Sequence, residues 1–271
     1  MNGGSLNWFD TLNGANGLTS VGYTCVKGEE IFGGTNSEKT MYNPIYFKTE
    51  KYTLVANGTL WLTDRDRRAS VSKIDGADTY KALNYVVLED KNTAARFVYV
   101  NLHLIVQGGD NYVHDSEGND TEHLIQELQV IYLREILEDL LNTYQLPMFI
   151  GGDFNNSSSR INTWFTKSVL HTDGSIDSDG KPTESVTVTR ANPYADHVLT
   201  SCSVTTDDFK ELSDYNQTSK TGAIDLWFVS NLDGRVYCYE IVDNKVTTTS
   251  GEKYPSDHLP AKLVVTLYGT K

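Results

Sequence analysis

Pro147-Met148-Phe149-Ile150-Gly151-Gly152-Asp153-Phe154-Asn155-Asn156 carries an apolar run into two glycines, then places a carboxylate and an amide directly after them. Met148–Gly151 is short, apolar and bounded by breakers, which predicts a buried strand. Asp153 and Asn155 then fall at its C-terminal end, where an open α/β sheet presents side chains to a ligand. The two glycines are expected to let backbone and ligand approach closely.

Upstream, residues 121–144 are the clearest helix. Ile125, Leu128, Tyr132, Ile136 and Leu140 recur at three-or-four spacing and make one apolar stripe. Asp120 or Thr121 can cap its start, Glu122 lies in the first turn, and Pro147 marks its end. Before it, Arg96–Val106 reads R-F-V-Y-V-N-L-H-L-I-V, apolar on both faces as in an interior strand, with His103 near its end. A strand–helix–strand unit therefore spans Arg96 to Asn155. Further strands are expected over 21–27, Asn43–Phe47, Thr53–Leu62, Lys81–Glu89, Ala223–Ser230 and Ala261–Leu267, with a short helix near 5–13 and a polar loop over 171–190.

Asn101-Leu102-His103-Leu104, Gly152-Asp153-Phe154-Asn155, Ile224-Asp225-Leu226 and Ser256-Asp257-His258-Leu259-Pro260 all set polar, titratable groups in or just past apolar strands. A buried carboxylate is costly without a partner. Asp225 therefore needs one, and an imidazole would serve, with His258 the natural candidate.

The chain has 271 residues, of which 39% are hydrophobic, and a net charge of −13. That supports one large core, and residues 1–271 are read as a single domain. The charge argues against tight binding of duplex nucleic acid, which needs a basic face. The one basic run, Thr63-Asp64-Arg65-Asp66-Arg67-Arg68, is interleaved with acids and reads as a solvated loop. No apolar run is long enough for a transmembrane helix, and the N-terminus as written has no signal-peptide pattern, so the chain reads as soluble, either cytoplasmic or secreted after signal removal. Cys25, Cys202 and Cys238 show no C-x-x-C spacing.

The order N-x-H-L, G-D-F-N, I-D-x-x-F-V-S, S-D-H-L-P resembles the endonuclease/exonuclease/phosphatase superfamily, the group of pancreatic deoxyribonuclease, abasic-site endonucleases, neutral sphingomyelinases and inositol-polyphosphate phosphatases. Asn43-Pro44-Ile45-Tyr46-Phe47 and Gly58-Thr59-Leu60-Trp61-Leu62 are similar to further strands of that family. The resemblance implies a four-layer α/β/β/α sandwich of two packed mixed sheets, deoxyribonuclease I-like. It implies divalent-metal-dependent hydrolysis of a phosphodiester or phosphomonoester by an activated water, with magnesium as the ion and manganese or calcium as alternatives. On this reading Asp153 orients or deprotonates the water and Asn155 holds water or phosphate. His258, oriented by Asp225, donates to the phosphate oxygens, His103 donates from the other side, and Asp257 sits near the metal. The substrate is a phosphate ester of nucleic acid, a phospholipid headgroup or a sugar or inositol phosphate. The N-x-S triplets at Asn155 and Asn156 would put a glycan into this site, so a working enzyme leaves them unmodified.

The family's opening strand with its Asn, and the Gln-Glu that follows, are not found before Asn43. Gln126-Glu127 is the only Gln-Glu, and it is expected mid-helix. The chain therefore reads as truncated at its N-terminus relative to the family, or else as a protein that works with a weakened site, and is expected to bind magnesium poorly. A non-catalytic remnant of the fold, acting as a binding module, is the alternative reading.

Overall fold

In the computed structural model the described residues are 12–27, 43–69, 72–77, 80–106, 112–156, 160–161, 170–171, 186–187, 200–201, 224–230, 234–241, 245–249, 251–253 and 261–267. The strands are β1 (Tyr23–Val26), β2 (Ile45–Lys48), β3 (Tyr52–Trp61), β4 (Ala82–Asp90), β5 (Arg96–His103), β6 (Tyr112–His114), β7 (Asp120–Leu124) and, after the helix α1 (Ile125–Tyr144), β8 (Met148–Asp153). Shorter pieces follow: β9 (Leu170–His171), β10 (Val186–Thr187) and β11 (Thr200–Ser201). Then come β12 (Asp225–Val229), β13 (Gly234–Ile241), β14 (Val246–Thr248), β15 (Gly251–Lys253) and β16 (Ala261–Leu267).

Six strands form one mixed sheet in the order β11-β12-β8-β5-β4-β3. Only β5 and β8 are parallel neighbours, and α1 lies in the connection between them, as a parallel pair requires. Strand alternation divides the side chains of β5. Val98, Val100 and Leu102 join Met148, Ile150, Leu226 and Phe228 beneath Val130, Leu133, Ile136, Leu137, Leu140 and Leu141 of α1. On the opposite face Phe97 and Tyr99 pack with Val86, Leu88 and the β1–β2 residues Val26, Ile45 and Phe47. The both-faces-apolar reading of β5 is thereby explained. One face is covered by a helix and the other by a second sheet segment, and the architecture is an α/β sandwich. Strands β13 and β16 pair antiparallel.

A buried amide cluster ties the second layer to the sheet. Asn43 Nδ2 donates to the Ala82 carbonyl at 2.9 Å, and Asn84 Nδ2 donates to the Asn43 carbonyl at 2.7 Å. Thr59 Oγ1 donates to Asn84 Oδ1 at 2.7 Å. Each polar group is buried and partnered, as a low-dielectric interior demands.

The helix differs from its expected span. It begins at Ile125, because residues 120–124 pair as β7 with β6. The turn between them is closed by the Asp115 carboxylate, which accepts the backbone N–H of Glu117 and of Asn119 at 2.9 and 2.8 Å. The expected caps Asp120 and Thr121 are consequently spent in a strand, and the N-cap is Leu124 with no side-chain bond. The helix ends on Gln145, which is left-handed at φ 53° and donates to the Leu141 carbonyl. Strand β2 starts at Ile45 rather than Asn43, and within the expected polar loop β9 pairs with β10. The expected helix near 5–13 lies almost wholly outside the described residues.

Candidate active site

The C-terminal ends of β5 and β8 lie side by side, and register sets what they present. His103 is paired with Asp153, and Asp153 with Asp225 of β12. The three side chains therefore share one row on one face, the face opposite α1. His103 Nε2 lies 3.6 Å from Asp153 Oδ2, and both side chains are partly exposed, at 39% and 19%. Both are thus reachable at the ends of the two central strands of the sheet.

Alternation also explains the residues between. Phe154 points to the helix side, is fully buried, and meets the Phe228 ring at 5.1 Å. With Phe154 anchored below, Asp153 is held above. The Phe154 N–H donates to the Ile224 carbonyl at 2.9 Å, which makes 154 and 224 a hydrogen-bonded pair. Asp153 and Asp225 are then the non-hydrogen-bonded pair next to it, the kind whose side chains approach most closely.

Asn155 follows in the left-handed region at φ 52°, which asparagine tolerates better than most residues. Its N–H donates to Asp153 Oδ1 at 2.8 Å, an Asx-type turn. Its side-chain Nδ2 donates to the Leu104 carbonyl at 2.9 Å. Asn155 thus braces the turn after β8 against the end of β5. Asn156 Nδ2 donates to Gln126 Oε1 at 2.8 Å. Both sequon amides are engaged inside the fold.

The glycines serve packing more than ligand approach. A Cβ on Gly152, which sits at φ 150°, would stand 2.1 Å from the Leu102 carbonyl oxygen. A Cβ on Gly151 would press on the Trp227 ring at 3.2 Å, and that ring stacks on Tyr99 at 5.6 Å. Both glycines let β8 close tightly against its neighbours.

Lys81, just ahead of β4, was not singled out from the sequence. It is 6% exposed, a rare placement for lysine. Burial pushes its ammonium down to about 8, and the negative charge of Asp153 acts against that fall. The signal was a lysine opening an otherwise apolar strand. The basic run 65–68 lies elsewhere, against the α1 side of the sheet. Arg67 pairs with Glu135, and Arg65 pairs with Asp75.

The structure thus brings together His103, Asp153 and Asp225, with Asn155 bracing the loop behind them. Asp257 and His258 lie outside the described residues, and so does the expected Asp225–His258 pairing. Two adjacent carboxylates with an amide loop behind them are hard oxygen donors of the kind a divalent cation takes. Among the described residues no three acidic, histidine or cysteine side chains converge as a complete metal site.

No family model and no curated protein matches the sequence. Solved structures do. A mannosyl-6-phosphatase from Bacteroides thetaiotaomicron is 18% identical, with a TM-score of 0.59 over 91% of this chain and 78% of its own. An endonuclease/exonuclease/phosphatase family protein from the same organism is 17% identical, with a TM-score of 0.59 over 92% and 76%. The human Nocturnin catalytic domain with bound sulfate is 16% identical, with a TM-score of 0.58 over 97% and 77%. At these identities the likeness is one of fold, and the fold is the deoxyribonuclease I-like one that the sequence motifs resemble.

Proposed function

We propose that the chain is a phosphoesterase that hydrolyses a phosphate ester by attack of a water held at Asp153. The observation that carries the reading is the row His103–Asp153–Asp225 at the open end of β5 and β8. It is supported by the shared fold with a sugar-phosphate phosphatase. Asp153 accepts the water's proton as the new O–P bond forms and the ester O–P bond opposite it breaks. The departing oxygen takes its proton from solvent. His103 orients the Asp153 carboxylate and donates to a phosphate oxygen, and Lys81 supplies a cation next to the same acid. The motif Ser256-Asp257-His258-Leu259-Pro260 supplies the remaining roles on this reading, Asp257 for the metal and His258 as a donor to phosphate. A divalent cation, magnesium by the nature of the donors, would be held by Asp257 and the Asp153–Asp225 pair and would neutralise phosphoryl charge.

The net charge of −13 favours a compact phosphate ester, such as a sugar or inositol phosphate, over duplex nucleic acid. A substrate panel tests this: mannose 6-phosphate, inositol phosphates, sphingomyelin, plasmid DNA and bis-p-nitrophenyl phosphate, each with magnesium and with chelator. Chelator-sensitive release of phosphate or nitrophenol is expected from at least one. Silence across the panel under both conditions overturns the reading and leaves the fold as a binding module.

A further inference from the structure

Gln126 and Gln129 are two of the most buried polar residues of α1, each 1% exposed, and both lie on its sheet-facing side near the N-terminus. Burying an amide is costly unless its bonds are made. They are made, to two segments at once. Gln126 Nε2 donates to the Ile105 carbonyl at 2.7 Å, the Phe154 carbonyl at 3.0 Å and the Asn155 carbonyl at 3.4 Å. Gln126 Oε1 accepts from Asn156 Nδ2 at 2.8 Å. Gln129 Oε1 accepts the Ile105 N–H at 3.0 Å. Carbonyls only accept, so the amide orientation of Gln126 is dictated by its surroundings.

One segment, His103-Leu104-Ile105, carries the imidazole. The other, Asp153 to Asn156, carries the carboxylate. They touch each other through two bonds of their own: Leu104 N–H to the Asp153 carbonyl at 2.9 Å, and Asn155 Nδ2 to the Leu104 carbonyl at 2.9 Å. Both are loop ends leaving parallel strands, and the β5–β8 ladder does not continue past His103 and Asp153. Beyond that point the helix, through its two glutamines, ties both segments to one support in addition to these bonds.

We propose that Gln126, seconded by Gln129, is a positioning residue that fixes the spacing of His103 and Asp153 by clamping the chain just past each of them. In its catalytic consequence this rests on the phosphoesterase reading; as a mechanical statement about the two loops it does not. The mid-helix reading of Gln126-Glu127 is replaced by this one, since α1 begins one residue before Gln126.

The test uses the full chain with Gln126→Glu and Gln126→Leu. The first keeps size and acceptor but removes both donor hydrogens; the second removes all polarity. Amide hydrogen exchange is read at Leu104 and Asn155, which bond within the clamped loops, and at Val86 and Val98 in the sheet. Exchange is expected to quicken about tenfold or more at Leu104 and Asn155 in both variants and to stay as in wild type at Val86 and Val98. With bis-p-nitrophenyl phosphate and magnesium, kcat is expected to fall about tenfold or more with KM changed less than about twofold, the mark of misplaced groups rather than lost binding. Asn156→Ala, which removes one bond from the solvent side, should give a smaller change in the same direction. Unchanged exchange at Leu104 and Asn155, or an active wild type whose kcat survives both substitutions, overturns the proposal. A wild type with no turnover counts against the phosphoesterase reading alone, and the exchange measurement still decides the clamp.

Discussion

Asp225 stands directly opposite Asp153 across the β8–β12 ladder, at a non-hydrogen-bonded position where facing side chains approach most closely. Like charges so placed oppose folding by roughly 0.2–1 kcal/mol. On the proposed reading, their combined field serves a divalent cation. Asp225→Asn should therefore stabilise the metal-free protein by about 0.2–1 kcal/mol in urea unfolding. Where a divalent cation at saturating concentration raises the melting temperature of the wild type, the same variant should lose most of that rise. A variant that is destabilised while keeping the full magnesium response would show that Asp225 is a structural acid and not part of a cation site.

On the proposed phosphoesterase reading, Asp153 and His103 bear on the chemical step. Asp153→Ala and His103→Ala are each expected to lower kcat by about 10²–10⁴-fold, the usual range for a lost proton-transfer or polarising group. Far-UV circular dichroism should be unchanged, because both side chains are partly exposed and neither anchors the core. Turnover within about threefold of wild type in either variant would remove that residue from the mechanism.

On the same reading, Lys81 would link activity to pH. Its folded value lies near 8, below the ordinary lysine value of 10.5, because burial disfavours the charged form. Below pH 8 the lysine is protonated both folded and unfolded, and the cost of burying the charge is fully present. Between pH 8 and 10.5 the unfolded chain holds a proton that the folded chain has released, so stability rises with pH through that window. Lys81→Met should accordingly raise stability at pH 7, by up to about 3 kcal/mol, and the gain should vanish toward pH 10.5. The same variant should lose activity at pH 7. In the wild type an alkaline limb is expected near pH 8, and Lys81→Arg, which stays charged, should move it upward. An alkaline limb that stays in place in Lys81→Arg would assign it to another group.

Gly152 and Gly118 separate strain from collision. Both have positive φ, 150° and 84°, but a Cβ at Gly118 meets nothing within 4 Å, whereas at Gly152 it meets the Leu102 carbonyl oxygen at 2.1 Å. Gly118→Ala should cost about 1–2 kcal/mol. Gly152→Ala should cost more than about 3 kcal/mol or prevent folding, since backbone on a neighbouring strand cannot yield. Equal costs at the two sites would mean that β8 and β5 are less tightly closed than their register implies.

Much of this protein was legible from local pattern. The apolar run ending in Gly151-Gly152-Asp153, the doubly apolar strand with His103 at its end, and the stripe from Ile125 to Leu140 each report a periodicity that a short segment carries within itself. Alternation alone places Asp153 on one face and Phe154 on the other. That is why the strand–helix–strand unit, and the strand ends that carry His103 and Asp153, could be read without coordinates. The start of α1 could not, because residues 120–124 are recruited into a hairpin by Tyr112–His114 and the Asp115 turn, and pairing outweighs the local capping signal. Nor could the neighbours within the site. Asp225 opposite Asp153, Lys81 in the field of the same acid, and Gln126 holding Ile105 and Phe154 together all join segments far apart in the chain. Which residues can do chemistry was written in their types and in the strand ends they occupy. Which of them act on one another was decided only by register and by helix packing on the sheet, because those bring distant segments within reach and no local periodicity encodes that distance.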